Sequence, residues 1–240
     1  MTETAVPAPE ITDALPMEVD ALLLDMDGTL IDSAPAVLRS WNRLFGELGS
    51  SRTFTPDLHG MPAAQVLRGA FPDLDEEAIA RAHARIEDME VDDVDGVVVL
   101  PGTHRVLGEL ERAAEALGRP TWTIVTSCTR RLFEARWAVT GLPVPETIVT
   151  ADQVTTGKPD PEPYRLGAER LGVDPSRALV IEDAVGGLRS GRDAGARTLA
   201  VTTTTAAGDL QPLAEALVTS LDDIEVSARD GHLVVDRRGR

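Results

Sequence analysis

An intrachain disulfide bridge is excluded at the outset, because this 240-residue chain holds one cysteine, Cys128. A bridge-free chain with no secretory start fits a reducing compartment, and a cytoplasmic location is expected. That start is missing because residues 1–20 are rich in Pro, Ala, Thr and acidic side chains, with neither a basic beginning nor an apolar centre. No apolar run approaches the ~20 residues of a membrane helix, so no membrane partner is expected. Basic side chains are scarce: 23 Lys and Arg stand against 40 Asp and Glu, for a net charge of −17. A nucleic-acid partner is therefore not expected, since phosphate backbones are bound by basic surfaces. A small phosphorylated metabolite remains open, because a few local cations suffice for it. No pair among the four histidines has metal-ligand spacing, and no internal repeat or low-complexity tract appears beyond Thr202–Thr205.

What is present is alternation. Short apolar strands are predicted at Asp20–Leu24, Trp122–Val125, Thr147–Thr150, Ala178–Ile181 and Thr198–Val201. Helical spacing lies between them at Thr103–Leu117, Thr129–Val139, Arg165–Leu171 and Leu188–Ala194, several ending at a glycine. This pattern predicts an α/β fold with a parallel sheet covered on both faces. Between Val37 and Leu100 the alternation stops. Three apolar stripes, on Val37–Leu48, Val66–Phe71 and Ile79–Met89, predict helices that pack on one another as a lid over the sheet. The expected organisation is a flexible leader over 1–18, a core over 19–36 and 101–240, and a helical cap over 37–100. Glu225-Val226-Ser227 and His232–Val235 around Asp230-Gly231 predict a hairpin.

Four polar signals stand at the ends of these strands. Asp25-Met26-Asp27-Gly28-Thr29 follows Ala21–Leu24, placing two carboxylates i, i+2 at a buried strand end. Such a pair is tolerable with a cation nearby or a mechanistic need, and Asp-Gly alone also signals an ordinary turn. After Trp122–Val125 come Thr126, Ser127, Cys128 and Thr129. A hydroxyl and the N–H groups of a helix start can bind phosphate oxygens, and Thr129 is expected as the helix cap. Lys158 lies in the proline-fixed run Gly157-Lys158-Pro159-Asp160-Pro161. Glu182 and Asp183 end the strand at Ala178–Ile181, where they read as oxygen ligands for Mg²⁺. Gly186 and Gly187 follow, with close backbone approach as their expected reason.

Asp25-x-Asp27-Gly28-Thr29, Thr126, Lys158 and Glu182-Asp183, in that order, resemble the four motifs of the haloacid dehalogenase superfamily over roughly residues 19 to 201. The resemblance implies a Rossmann-like doubly wound sheet with an inserted α-helical cap, and a Mg²⁺-dependent phosphatase working through a phosphoaspartate. Asp25 would be the nucleophile and Asp27 the acid and then the base. Thr126 and Lys158 would hold the phosphoryl oxygens, with Gly28, Thr29 and Ser127 lining the same pocket. Asp25, the Asp27 carbonyl and Asp183 would bind Mg²⁺, with Glu182 in support. His59 and Gly60 would face the substrate where cap and core meet.

Within that family the chain is most similar to sugar-phosphate and glycerol-phosphate phosphatases. The likeness runs through Asp32–Val37, His59-Gly60, Val125–Arg130, Thr150–Val154, Gly157–Tyr164 and Ile181–Ala184. Asp27 argues against haloalkanoate dehalogenation, and Thr29 argues for a phosphatase over a β-phosphoglucomutase-like phosphomutase. The altered cap segment His59-Gly60-Met61-Pro62-Ala63 points the same way. The alternatives are that phosphomutase, a phosphoglycolate phosphatase and a non-catalytic effector-binding protein. Cys128 replaces a glycine common in that loop and is expected to be a small buried residue without a chemical role. Arg130 is placed either near the phosphate entrance or at a solvated helix start. A monomer or weak homodimer is expected.

Overall fold

The computed structural model describes residues 14–55 and 63–239. The expected site residues His59 and Gly60 lie outside them. In chain order the elements are β1 (Met17–Val19), β2 (Ala21–Leu24), β3 (Ile31–Asp32), α1 (Ala34–Glu47), α2 (Ala63–Ala70), α3 (Glu76–Asp92), β4 (Val98–Val99) and α4 (Thr103–Leu117). Then come β5 (Trp122–Val125), α5 (Arg130–Ala138), β6 (Ile148–Val149), α6 (Glu162–Arg170), β7 (Ala178–Glu182), α7 (Val185–Ala194) and β8 (Arg197–Val201). The chain closes with α8 (Ala207–Leu210), β9 (Ala216–Val218), β10 (Ile224–Arg229) and β11 (His232–Arg237).

Six of these strands form one sheet in the order β6-β5-β2-β7-β8-β9, parallel throughout. In sequence order that is the doubly wound arrangement, and the order reverses at β2, whose neighbours β5 and β7 leave a crevice at their carboxyl ends. Strand alternation sends Leu22 and Leu24 into a cluster with Val106, Leu107 and Leu110 of α4 and Leu132 and Phe133 of α5. Ala21 and Leu23 point the other way, against Tyr164 and Ala168 of α6. Both faces are covered, which is why these strands are continuously apolar.

The helices α1, α2 and α3 enclose a separate core of Trp41, Leu44, Phe45, Phe54, Leu67, Ile79 and Ile86. Trp41 stacks on Phe54 with ring centroids 4.9 Å apart, and Phe45 meets Phe71 edge-on at 5.1 Å. The chain passes into this layer through β3 and returns through β4, which pair antiparallel. Two-residue strands carry no periodicity, so the sequence pattern gave no sign of them. Helix α1 begins at Ala34 with Pro35 in its first turn, three residues before the expected cap boundary.

The expected leader over 1–18 overlaps the first strand of the fold. Met17 is fully buried, and β1 pairs with β11 as the third strand of an antiparallel sheet completed by β10. Only Asp20 separates β1 from β2, so two strands of different sheets read as one stretch. The hairpin itself turns at Asp230 (φ 51°) and Gly231 (φ 88°), the left-handed pair that an Asp-Gly turn requires. Strand β9 was not foreseen, because three apolar residues are too few to show a period.

Candidate active site

The carboxyl ends of β2, β5 and β7 converge on one ammonium. Lys158 Nζ donates to Asp25 Oδ1 at 2.6 Å, to Glu182 Oε1 at 2.7 Å and to the Val125 carbonyl at 2.8 Å. The loop that delivers Lys158 is tied down by α6. The N–H groups of Thr155 and Thr156 both donate to the Glu162 carboxylate at 2.8 Å, and the Glu162 N–H donates to Asp160 Oδ1 at 2.9 Å. Lys158 is the only lysine in the chain; the other 22 of its 23 basic residues are arginines. Burial disfavours its charge, but Asp25 and Glu182 outweigh burial and hold its pKa well above the usual lysine range.

Glu182 is saturated. Its Oε1 also accepts from the Tyr164 hydroxyl at 3.0 Å, and its Oε2 accepts from the Asp183 and Ala184 N–H groups at 3.1 Å each. The carboxylate expected in support of a metal thus also fixes Lys158 from the end of β7. Asp183 takes the Thr29 hydroxyl on Oδ1 at 3.1 Å and the Thr204 hydroxyl on Oδ2. Thr29, expected to line the phosphate pocket, thus turns its hydroxyl toward Asp183.

The donor set fits Mg²⁺. Ligand oxygens of Asp25, Glu182 and Asp183 lie within 4.8 Å of one another, all hard donors. Three carboxylates around one ammonium leave two uncompensated negative charges, the charge of one divalent cation. Burial and then Glu182 push the Asp25 carboxyl well above its usual range, and the same two causes push Asp183 up to about 7. Gly28 keeps this space open: it has φ +89°, and a Cβ there would stand 2.3 Å from Asp183 Oδ2.

Asp27 belongs to a different network. Its Oδ1 accepts from Ser33 Oγ at 2.5 Å and Arg136 Nη1 at 2.9 Å, and its Oδ2 accepts from the Cys128 thiol at 3.2 Å. Burial and the Asp27 charge raise the thiol pKa well above its usual value, so Cys128 stays a protonated donor. The thiol expected to have no chemical role is therefore a partner of Asp27. Arg136 reaches a second carboxylate, Glu90 of α3, at 3.4 Å. Burial pushes Glu90 up to about 7 against the pull of Arg136. Two acids only two residues apart are thus held by disjoint sets of partners.

Thr126 is buried at the β5 end and accepts from the Cys128 N–H at 3.1 Å, while Ser127 beside it is exposed. Thr129 caps α5 as expected, accepting from Leu132 N–H at 3.3 Å. Arg130 is exposed and pairs with Glu134 one helical turn on, which is the solvated helix-start alternative. The residue pattern had not singled out Arg136, Tyr164 or Thr204 for this site. Thr203 and Thr204, met in the sequence only as a threonine run, follow β8 and cross over the site, with Thr203 donating to the Gly28 carbonyl.

The two glycines after Asp183 separate cleanly. A Cβ on Gly187 would fall 1.7 Å from Glu182 Oε1, whereas one on Gly186 meets nothing within 4 Å. Gly187→Ala is expected to cost about 1–3 kcal/mol by displacing a buried carboxylate. Gly186→Ala is expected to be neutral or to stabilise α7 by up to ~1 kcal/mol. Equal denaturation midpoints for the two variants would contradict this packing.

The model of the haloacid dehalogenase-like hydrolase family matches residues 22–201. Hexitol phosphatase A of Escherichia coli is 39% identical over 171 residues, covering 71% of this chain and 77% of the relative. Validoxylamine A 7'-phosphate phosphatase of Streptomyces hygroscopicus subsp. limoneus is 34% identical over 200 residues, covering 78% and 86%. Among solved structures, CbbY from Rhodobacter sphaeroides in complex with phosphate superposes with a TM-score of 0.73 at 25% identity, over 85% of this chain and 96% of that one.

Proposed function

Because this chain belongs to the haloacid dehalogenase-like hydrolases, we propose that it is a Mg²⁺-dependent phosphatase of small phosphorylated sugars or polyols, acting through a phosphoaspartate on Asp25. The observation that carries this reading is the division of labour between Asp25 and Asp27. Asp25 is fixed through Oδ1 by Lys158, and no protein donor reaches its Oδ2 among the described residues. That oxygen is the one free to attack phosphorus. Asp27 lies at the same crevice in a network of donors, placed to handle a proton.

In the first half-reaction Asp25 Oδ2 forms a bond to phosphorus, the bond from phosphorus to the substrate alcohol oxygen breaks, and protonated Asp27 gives its proton to that oxygen. In the second, Asp27 takes a proton from water as the water oxygen bonds to phosphorus. The acyl-phosphate oxygen then leaves, restoring Asp25 and releasing inorganic phosphate. Lys158 holds Asp25 in line throughout and offsets negative charge. Asp25 and Asp183, with the Asp27 carbonyl, would hold Mg²⁺, which when bound neutralises the phosphoryl oxygens. Relatives named hexitol phosphatase A and validoxylamine A 7'-phosphate phosphatase support a small phosphorylated sugar or polyol as the substrate. Among the described residues no helix is long and apolar enough to cross a membrane.

A phosphate-release panel tests this. Hexitol phosphates, hexose phosphates, glycerol phosphates and phosphoglycolate are offered with Mg²⁺ and with a chelator. Turnover is expected to be highest on the polyol and sugar phosphates and to fall at least about 100-fold on chelation. No release from any member, or release indifferent to the chelator, would sink the proposal.

A further inference from the structure

Arg136 is a buried arginine on the core-facing side of α5, and its side chain is 5% exposed. Burial of a guanidinium is tolerated only with strong acceptors, and here they come from two parts of the molecule. Nη1 donates to Asp27 Oδ1 at 2.9 Å and to Cys128 Sγ at 3.3 Å, both in the core. Nη2 donates to Glu90 Oε1 at 3.4 Å, in the last helix of the cap. The same two helices make two further contacts, Thr129 Oγ1 to Glu87 at 2.7 Å and Arg131 to Asp88 at 2.5 Å. Those contacts join surface or half-buried groups. The Arg136 contact alone runs on to a carboxylate of the reaction.

We infer that Arg136 is a positioning residue for Asp27, and that Glu90 braces it from the cap, so that one buried cation sets both the acid/base carboxylate and the seat of α3 on α5. The inference rests on the phosphatase reading above. Arg136 does not touch the reacting atoms. It fixes the direction of the Asp27 carboxyl group, together with Ser33 on the same oxygen and the Cys128 thiol on the other. Glu90 in turn satisfies the face of the guanidinium turned away from Asp27. Without Glu90, Arg136 keeps one strong acceptor and gains freedom to rotate off it.

The test separates proton transfer from general damage by leaving group. An alkyl alcohol leaves poorly and needs Asp27 to protonate it, whereas 4-nitrophenolate leaves without that help. In Glu90→Gln and Arg136→Lys, single-turnover release of the alcohol from a hexitol phosphate is expected to fall about 10- to 100-fold, at a KM within about threefold of wild type. Single-turnover release of 4-nitrophenol from 4-nitrophenyl phosphate is expected to change by less than about threefold. Arg136→Gln is expected to lose more than Arg136→Lys on the hexitol phosphate, and Glu90→Gln added to Arg136→Gln is expected to add little, since both remove one brace. Where Arg136→Gln does not fold, Arg136→Lys and the isosteric Glu90→Gln carry the measurement. Equal losses on both substrates would overturn the inference, as would an unchanged rate in Glu90→Gln. Amide hydrogen exchange of α3 is the arm that does not depend on turnover: faster exchange by about tenfold in Glu90→Gln supports the brace, and unchanged exchange removes it. If wild type released nothing from any phosphate ester, the phosphatase reading would fall while this arm still read the brace.

Discussion

Asp25→Asn is expected to lower phosphate release about 10⁴-fold or more and to leave the protein folded. The amide oxygen is a poor nucleophile, and without the covalent step no other side chain at the crevice takes its place. Folding is expected to survive because the substitution removes one of three crowded carboxylates. Burial and Glu182 already push the Asp25 carboxyl toward its neutral form, and the amide is neutral from the start. Lys158 keeps Glu182 at 2.7 Å and the Val125 carbonyl at 2.8 Å. In chelator the melting temperature of Asp25→Asn is therefore expected to be no lower than that of wild type. Steady-state phosphate release and thermal denaturation check the two halves separately. Wild-type release by Asp25→Asn would remove the phosphoaspartate from the mechanism.

Lys158→Met is expected to fail in the opposite pattern, losing both activity and stability. The ammonium is the shared donor of Asp25 Oδ1, Glu182 Oε1 and the Val125 carbonyl, and its side chain is 8% exposed. Removing it leaves two buried carboxylates without their cation, a loss on the order of 3–5 kcal/mol. Turnover is expected to fall about 10³-fold, since a fixed donor at the developing charge is lost as well. Lys158→Arg is expected to rescue poorly. Three acceptors converging on one point suit a compact ammonium, not a planar fork. Chemical denaturation and phosphate release on the same preparations make the comparison. A Lys158→Met chain as stable as wild type would show that the cluster does not depend on this ion pair.

Much of this was open to reading in the residues themselves. The strand ends carry their chemistry in order, and α4 and β5 fall where apolar spacing placed them, with Gly118 closing α4 in a left-handed conformation (φ 66°). Two signals in the chain were passed over. Arg136 stands among Leu132, Phe133 and Trp137 on the buried face of α5, and a cation on a buried face demands an acid opposite it. Lysine occurs once in 240 residues, where three acceptors converge on its ammonium.

Other parts had no local signature. That Asp27 meets Arg136 across 109 residues, that Thr204 reaches Asp183, and that Glu90 of α3 meets Arg136 depend on where helices and loops land. The sequence alone determined the reaction class: hard carboxylates, a lone lysine and hydroxyls at successive strand ends are chemistry that local order dictates, since a strand's direction fixes which end its last residues occupy. It also determined the two apolar faces of the sheet, through the period of two. Only the tertiary structure decided which partners each carboxylate meets. A charge's behaviour is set by burial and by the partners within a few ångströms, and here those partners arrive from strands and helices far apart in the chain. Asp25 and Asp27 are the same residue type two positions apart, yet Lys158 holds the one while Ser33, Cys128 and Arg136 hold the other.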